Sequence, residues 1–368
     1  MRVYHLLKRF LLKRILKYEK RLREFNLKMT ARRQVKGMIK TNRSPRLSSQ
    51  EIKAVRAFYK SKGYSIKNTY WHQHYKAVNG EFHVDYIPED IFRAIISPRF
   101  NQMKQWPALL DKNLYYQLFK DFPQPKPVVQ NINGFYYVDE EIVSEERAAE
   151  ICCNTNKPLL IKPTIESGKG QMVESFSIKD GVASHNQLDI LSLFNLYNKD
   201  FIIQEFVEQS EAMKKLNPTT LNTLRIMTYL RPDDVYILSA VSRIGKPGSR
   251  TDNYSAGGIL CGITQEGQLK KYGYTLKGGK MEKTYTGIVL EGYEIPSFPD
   301  VVKMIKAMHK VVPYFRIISW DIGIDKNNDP LLVEYNTYYQ STRVHQTPNG
   351  PLFGKFTDEI LAEGLKPY

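Results

Sequence analysis

The sequence predicts a mixed α/β protein preceded by a basic helical arm. Apolar residues recur three and four apart through the first thirty positions, the period of one face of a helix. From Ser49 to Glu205 helical windows alternate with short apolar strands. From Thr220 onward β-branched and aromatic runs separated by turn residues dominate, and they close on a hairpin rich in carboxylates.

The arm comes first. Tyr4, Leu7, Leu11, Ile15, Tyr18, Leu22, Phe25 and Met29 form a continuous stripe, with Lys8, Arg9, Lys13, Arg14, Lys17, Lys20 and Arg21 filling much of the rest. Residues 1–46 hold 16 Lys or Arg against Glu19 and Glu24, a net charge of +14, out of +16 for the whole 368-residue chain. The body is therefore nearly neutral, and the basic character belongs to the arm. A basic amphipathic helix suits the interface of an anionic membrane, where each Lys or Arg adds about 1 kcal/mol. The alternatives are a helix docked on the protein's own body or on a partner, a nucleic-acid contact, or an organelle presequence. The arm carries no nucleic-acid motif beyond charge, so no specific nucleic acid is expected. No run approaches the roughly 18–20 apolar residues of a membrane span. Three cysteines, two of them the neighbours Cys152 and Cys153, make a poor disulfide framework and fit a reducing cytoplasm.

Thr41 to Ser49, with Pro45, reads as a linker, and a helix of about three turns follows from Ser49 to near Gly63. Trp71 to Phe82 is aromatic and histidine-rich. On a strand His72 and His74 would share a face, but no third ligand stands at a zinc spacing, so structural or surface roles are expected. Pro88 to Ile96 reads as a short helix. Asp111 is an N-cap for the next one, with Tyr115, Leu118 and Phe119 on its buried side. A hairpin is expected at Asn133-Gly134, then a helix from Ser144 to Cys153.

The run from Pro158 to Val173 reads as a buried strand that delivers Lys162 into a loop of Ser167, Gly168, Lys169 and Gly170. Such a loop offers backbone N–H groups to phosphates, and a lysine supplies compensating charge. It is not a Walker A sequence, and a simple hairpin turn is the alternative reading. Phe201 to Glu208 is a strand ending in carboxylates. Strands at Thr223–Leu230, Val235–Ser242, Ile259–Thr264 and Leu269–Tyr274 follow, with Asn222 and Arg225 as polar positions at the head of the first. A helix spans Val301 to Val312. The segments Asn253 to Gly258 and Tyr338 to Gly350 read as variable loops, and Arg343 and His345 in the second are candidates to face an acceptor.

Trp320 to Asn336 reads as two strands joined by turn chemistry at Lys326 to Pro330. If the turn centres between Asn327 and Asn328, partner numbers sum to 655 and Asp321 faces Glu334, with Asn336 on the same face. Like charges placed opposite one another invite a cation. Two carboxylates and an amide oxygen suit Mg²⁺. An exposed acidic hairpin without a ligand is the alternative.

Together the Asp111-Lys112 pair, Lys162-Pro163 before a Gly-rich loop, and Gln204-Glu205-Phe206-Val207 resemble the ATP-grasp fold, in which two lobes clasp ATP. More narrowly, Leu216 to Ile226, Gly257-Gly258, Trp320-Asp321-Ile322 and Glu334-Tyr335-Asn336 resemble the sugar-transfer-associated ATP-grasp proteins. The resemblance covers about residues 65–360 and leaves out the arm. It implies that Lys112 and Lys162 hold the phosphates of ATP and that Ser167, Gly168 and Gly170 form the lid loop, where Lys169 adds a contact. Gln204, Glu205 and Val207 would meet adenine, Glu211 or alternatively Glu208 the ribose, and Asp321, Glu334 and Asn336 the Mg²⁺. Arg225, with Asn222, would stand near the γ-phosphate and acceptor, so Arg225, Asn222 and Lys162 are the expected catalytic set.

The implied activity is that of an ATP- and Mg²⁺-dependent carboxylate–amine ligase forming an acylphosphate. Its acceptor would contain a sugar or amino acid destined for cell-surface polysaccharide, at the cytoplasmic face of a membrane. A kinase on the same fold and a non-catalytic nucleotide-binding adaptor are the alternatives. The expected parts are the arm at 1–46, an N-terminal region at 47–110, a small lobe at 111–207 and a C-terminal lobe with the metal site at 208–368.

Overall fold

The computed structural model describes residues 2–165, 172–249, 252 and 254–366. The chain divides into two compact units, Met1–Asn101 with Tyr338–Tyr368, and Gln102–Thr337.

The first unit is helical. Its arm is one helix, Arg2–Thr41. Ala31 and Val35 are fully buried against Trp71, Tyr75 and Tyr86, while Leu11, Ile15, Tyr18, Leu22 and Phe25 stay exposed. Ala31 lies about two and a half turns beyond Leu22, on the opposite face. The face that packs on these residues is therefore not the predicted stripe, whose members from Leu11 to Phe25 stay exposed. Helix Ser49–Ser61 opens on a reciprocal capping box between Ser48 and Glu51.

The Trp71 stretch is a helix, Tyr70–Asn79, closed by Gly80 at φ 88°. Trp71, Tyr75 and Val78, four and three apart, give it one buried face. His72 and His74 consequently do not share a face as they would on a strand. Both are buried among aromatic rings. Desolvation lowers the pKa of His72 to about 4 and of His74 to about 3. One expectation is corrected in this unit. The segment around Arg343 and His345 is no loop, but a helix, Thr342–Asn349. Gln346 ties it down, since Nε2 donates to the Ile87 carbonyl and Oε1 accepts from the Ile87 N–H. His345 is buried, and the Arg343 N–H donates to Glu89. Neither residue lies on a variable loop.

The second unit holds two antiparallel sheets. The first comprises β1 (Pro127–Ile132), β2 (Phe135–Val138), β3 (Glu141–Val143), β4 (Leu159–Pro163) and β5 (Glu174–Phe176). A small ribbon of β6 (Ile178–Lys179) and β7 (Val182–Ala183) follows, and β8 (Phe201–Glu205) returns to the sheet, whose order is β3-β2-β1-β8-β4-β5. Helices Glu145–Cys153 and Ile190–Tyr197 pack their buried residues into its core.

The second sheet comprises β9 (Thr223–Leu230), β10 (Val235–Ile244), β11 (Ile259–Ile263), β12 (Leu269–Tyr274), β13 (Lys280–Met281), β14 (Ile317–Ile324) and β15 (Pro330–Asn336). Its order is β13-β12-β11-β10-β9-β14-β15. Helix Phe298–Val311 lays Val301, Ile305 and Met308 into the same core as Ile226, Ile318 and Trp320, each such side chain contributing about 1.5–3 kcal/mol on burial.

The closing hairpin pairs Asp321 with Glu334, as expected. The route differs. From Ile322 to Ile324 partner numbers sum to 654, and a bulge next to Asp321 restores 655 for the outer half. The turn itself is set by Asp325, whose Oδ1 accepts from the N–H groups of Asn327 and Asp329 at 2.9 Å each.

Candidate functional site

One row of residues crosses four strands of the second sheet. Val241, Arg225, Asp321 and Glu334 are successive Cα partners on β10, β9, β14 and β15. Alternation along each strand therefore puts their side chains on one face. Arg225 donates Nε to Asp321 Oδ1 at 2.7 Å and Nη2 to Oδ2. Arg243, two residues on from Val241, donates Nη1 to Asp321 Oδ2 at 2.9 Å and Nη2 to Asp252 Oδ1 at 2.8 Å. Asp252 also accepts from the N–H and hydroxyl of Thr223. The result is a quartet of two guanidinium groups and two carboxylates, buried except at Arg225, which is partly exposed. Burial works against the charge of Arg225, and the carboxylate of Asp321 outweighs it, so its pKa rises. Burial pushes the Asp252 carboxyl up, countered by Arg243.

Beside this row lies a cavity of about 20 Å³ lined by Lys112, Lys162, Gln204, Tyr115, Ile202 and Val333, among others. Asp111 caps helix Lys112–Leu118 through the Asn113 N–H at 2.9 Å, which fixes the turn from which Lys112 projects. Lys112 Nζ stands 3.4 Å from Glu334 Oε1 and so joins the cavity to the carboxylate row. Lys162 ends its reach inside the protein from β4, between β5 and β8. Burial, aided by the charge of Lys112, lowers its pKa to about 8. A volume near 20 Å³ admits about one water molecule.

The expected site residues are thus brought together unequally. Lys112, Lys162 and Gln204 share the cavity, and Arg225, Asp321 and Glu334 share the row. Glu205 turns to Lys157 at 2.6 Å, and Val207 is half-buried just beyond β8. Glu211 opens helix Glu211–Leu216 with an exposed side chain paired to Lys214 at 2.7 Å. Asn222 serves the framework. The two N–H groups of its Nδ2 are shared among Gln209 Oε1 and the carbonyls of Met213 and Asn217, and its Oδ1 accepts from the Gly245 N–H. Ser167, Gly168, Lys169 and Gly170 lie outside the described residues. Sequence reasoning missed Arg243 and Asp252. The signal for Arg243 was its position in the otherwise apolar end of β10; Asp252 had none.

Among the described residues no group of three His, Cys, Asp or Glu side chains is placed to hold a metal. The hairpin offers a different set, Asp321, Glu334 and Asn336, whose donors are the hard oxygens that Mg²⁺ prefers. Asn336 Nδ2 is buried without a hydrogen-bond partner, so no donor bond from its nitrogen fixes the orientation of the amide. Their donor chemistry suits the ion, and Asp321 is engaged by Arg225 and Arg243 in this structure.

The family profile described as sugar-transfer associated ATP-grasp matches residues 92–360. No curated protein matches. Solved structures do. An L-amino acid ligase from Bacillus licheniformis is 13% identical with a TM-score of 0.38, over 70% of this chain and 48% of that one. The ATP-grasp ligase PsnB, complexed with a precursor peptide and AMPPNP, is 12% identical with a TM-score of 0.42, over 73% of this chain and 63% of that one. A D-alanine–D-alanine ligase from Bacillus anthracis complexed with ATP is 13% identical with a TM-score of 0.40, over 72% and 67%. The chain thus spans about half to two thirds of the length of these proteins.

Proposed function

We propose that this chain, which belongs to the sugar-transfer-associated ATP-grasp family, is an ATP- and Mg²⁺-dependent carboxylate–amine ligase acting on a cell-surface polysaccharide precursor. The observation that carries the reading is the contact of Lys112 with Glu334, which sets a lysine-lined cavity directly against a row of carboxylates and arginine. Phosphoryl chemistry needs positive charge around the transferring group and an acceptor in line with it.

Lys112 and Lys162 bind the phosphates, and Gln204, Glu205 and Val207 meet adenine, with Ser167, Gly168, Lys169 and Gly170 over the triphosphate. Asp321, Glu334 and Asn336 hold Mg²⁺, which when bound neutralises phosphate charge. Arg225 orients the γ-phosphate toward the acceptor, and Asn222 positions the start of β9 that carries it. An acceptor carboxylate oxygen attacks the γ-phosphorus, ADP leaves, and an acylphosphate forms. An amine nitrogen then attacks the carbonyl carbon, inorganic phosphate leaves, and the nitrogen loses its proton. Glu211 is the proposed ribose contact.

The arm holds the enzyme on the inner face of an anionic membrane. The exposed apolar side chains of Leu11, Ile15, Tyr18, Leu22 and Phe25, together with a charge of +14 over residues 1–46, support this. No described helix is long and apolar enough to cross a membrane. The site is tested by Mg·ATP titration of Lys162→Ala, Asp321→Asn and Glu334→Gln. Weakened binding in folded protein is expected, and unchanged binding in all three overturns the site.

A further inference from the structure

The arm carries a second feature besides its stripe. A groove of about 440 Å³ runs along it, lined on the arm by Leu22, Arg23, Asn26 and Thr30 and on the other side by Arg93 and Tyr339. The opposite wall is built from two unusual pieces of backbone. Arg93 lies in a π-helical segment, Phe92–Ile96, where the Ser97 N–H bonds five residues back to the Phe92 carbonyl. Pro98 follows and has no N–H to donate in that turn. Tyr339 sits at φ 54°, a left-handed conformation rare for a bulky side chain.

Arg93 is anchored there. Its Nε donates to the Gln340 carbonyl at 3.1 Å, and one Nη pairs with the buried carboxylate of Glu89. A guanidinium has five N–H donors, so these two contacts leave others for a ligand in the groove. Among the lining residues only Glu19, on the arm, is acidic.

The groove borders the stripe, because Leu22 belongs to both. An apolar surface next to paired arginines, an amide, a hydroxyl and a tyrosine matches a lipid at the level where tail meets headgroup. We propose that the groove binds the phosphate headgroup of an anionic membrane lipid, with Arg23 and Arg93 on the phosphate and Tyr339 at the interface. Tyrosine and arginine are the side chains suited to that depth. The proposal rests on the arm lying on a membrane and adds a specific seat to what is otherwise diffuse attraction.

Helix geometry supplies the control. Arg21 and Arg23 flank Leu22, each about 100° from it, so both stand at the edge of the stripe. Only Arg23 lines the groove. The full chain is floated with vesicles of phosphatidylcholine and with vesicles of equal parts phosphatidylcholine and phosphatidylglycerol. The unaltered protein floats with the anionic vesicles; failure to do so overturns the membrane reading and the groove with it. Arg21→Ala weakens partition about fivefold, the worth of one surface charge, and Arg23→Ala about twentyfold or more. Equal losses overturn the groove and leave the membrane reading standing. Soluble glycerol phosphate in excess does not release the protein. Release by it would show that the groove takes free phosphate and would overturn the lipid. Both arginines are exposed and alanine favours helix, so neither variant threatens the fold.

Discussion

Arg225 and Asp321 are direct cross-strand partners joined by two hydrogen bonds, and a second arginine, Arg243, closes on the same carboxylate. The carboxylate proposed to hold Mg²⁺ is thus already neutralised by the protein. Mg²⁺ held there would share the Asp321 carboxylate with Arg225 and Arg243. Asp321→Asn leaves Arg225 without its charge partner, while Arg243 keeps Asp252, and it is expected to cost about 3 kcal/mol by urea denaturation. Glu334 is more exposed, and Glu334→Gln is expected to cost under about 1 kcal/mol. Both weaken Mg·ATP binding. Similar stability losses would contradict the asymmetry of the row.

Lys162 gives the nucleotide site a pH dependence. Its pKa in the free protein is about 8, lowered chiefly by burial, and a bound triphosphate raises it. Below pH 8 the ammonium is charged with or without ligand, so affinity is flat. Above 8 the free lysine is neutral and must take up a proton on binding, so affinity falls by up to about tenfold per pH unit. Calorimetry at pH 9 in buffers of different ionisation enthalpy is expected to register proton uptake. Lys162→Gln removes it.

His72 predicts the acid limit of the helical unit. Its pKa is lowered to about 4 in the fold, against an unfolded value near 6.5, because burial disfavours the imidazolium. Between those values the unfolded chain binds the extra proton, so stability is complete above pH 6.5 and falls as pH drops toward 4. The loss reaches about 3 kcal/mol for this residue. His72→Gln keeps a donor for the Val84 carbonyl and is expected to flatten the slope of stability against pH over that window. An unchanged slope would contradict the assignment.

Asn222 separates framework from chemistry. Its amide meets four partners in the surrounding chain and is fully buried. Asn222→Ala is expected to destabilise by about 2–4 kcal/mol, since several buried partners are orphaned together. At a temperature where the variant stays folded, Mg·ATP affinity is retained within a few-fold. A selective loss of affinity without loss of stability would make Asn222 a ligand contact.

Much of this was legible in the residues. Alternating apolar positions and turn chemistry placed β9 to β12 and the hairpin, and the register of Asp321 with Glu334 followed from counting. The count succeeded although the turn sits half a residue away, because a bulge compensates, and bulges leave no mark in the alternation of this short strand. The aromatic run at Trp71 was open to a strand reading because aromatic residues favour strands; its period of four and three is what decided for helix. The stripe on the arm did not locate the packing face, because exposed Phe10, Leu12 and Leu16 lie off it and the face that packs is built from Ala31 and Val35, beyond its last member Met29. The quartet partner Asp252 was out of reach, since it comes from a loop more than sixty residues before Asp321.

The central claim is ligation, and a phosphorus NMR time course tests it most directly. Purified protein is incubated with Mg·ATP, alone and with a small-molecule extract containing sugar nucleotides and amino acids. ADP and free inorganic phosphate are expected together, and only when the extract is present. ADP with a new phosphoester resonance and little free phosphate would mean transfer to a hydroxyl, and would contradict ligation.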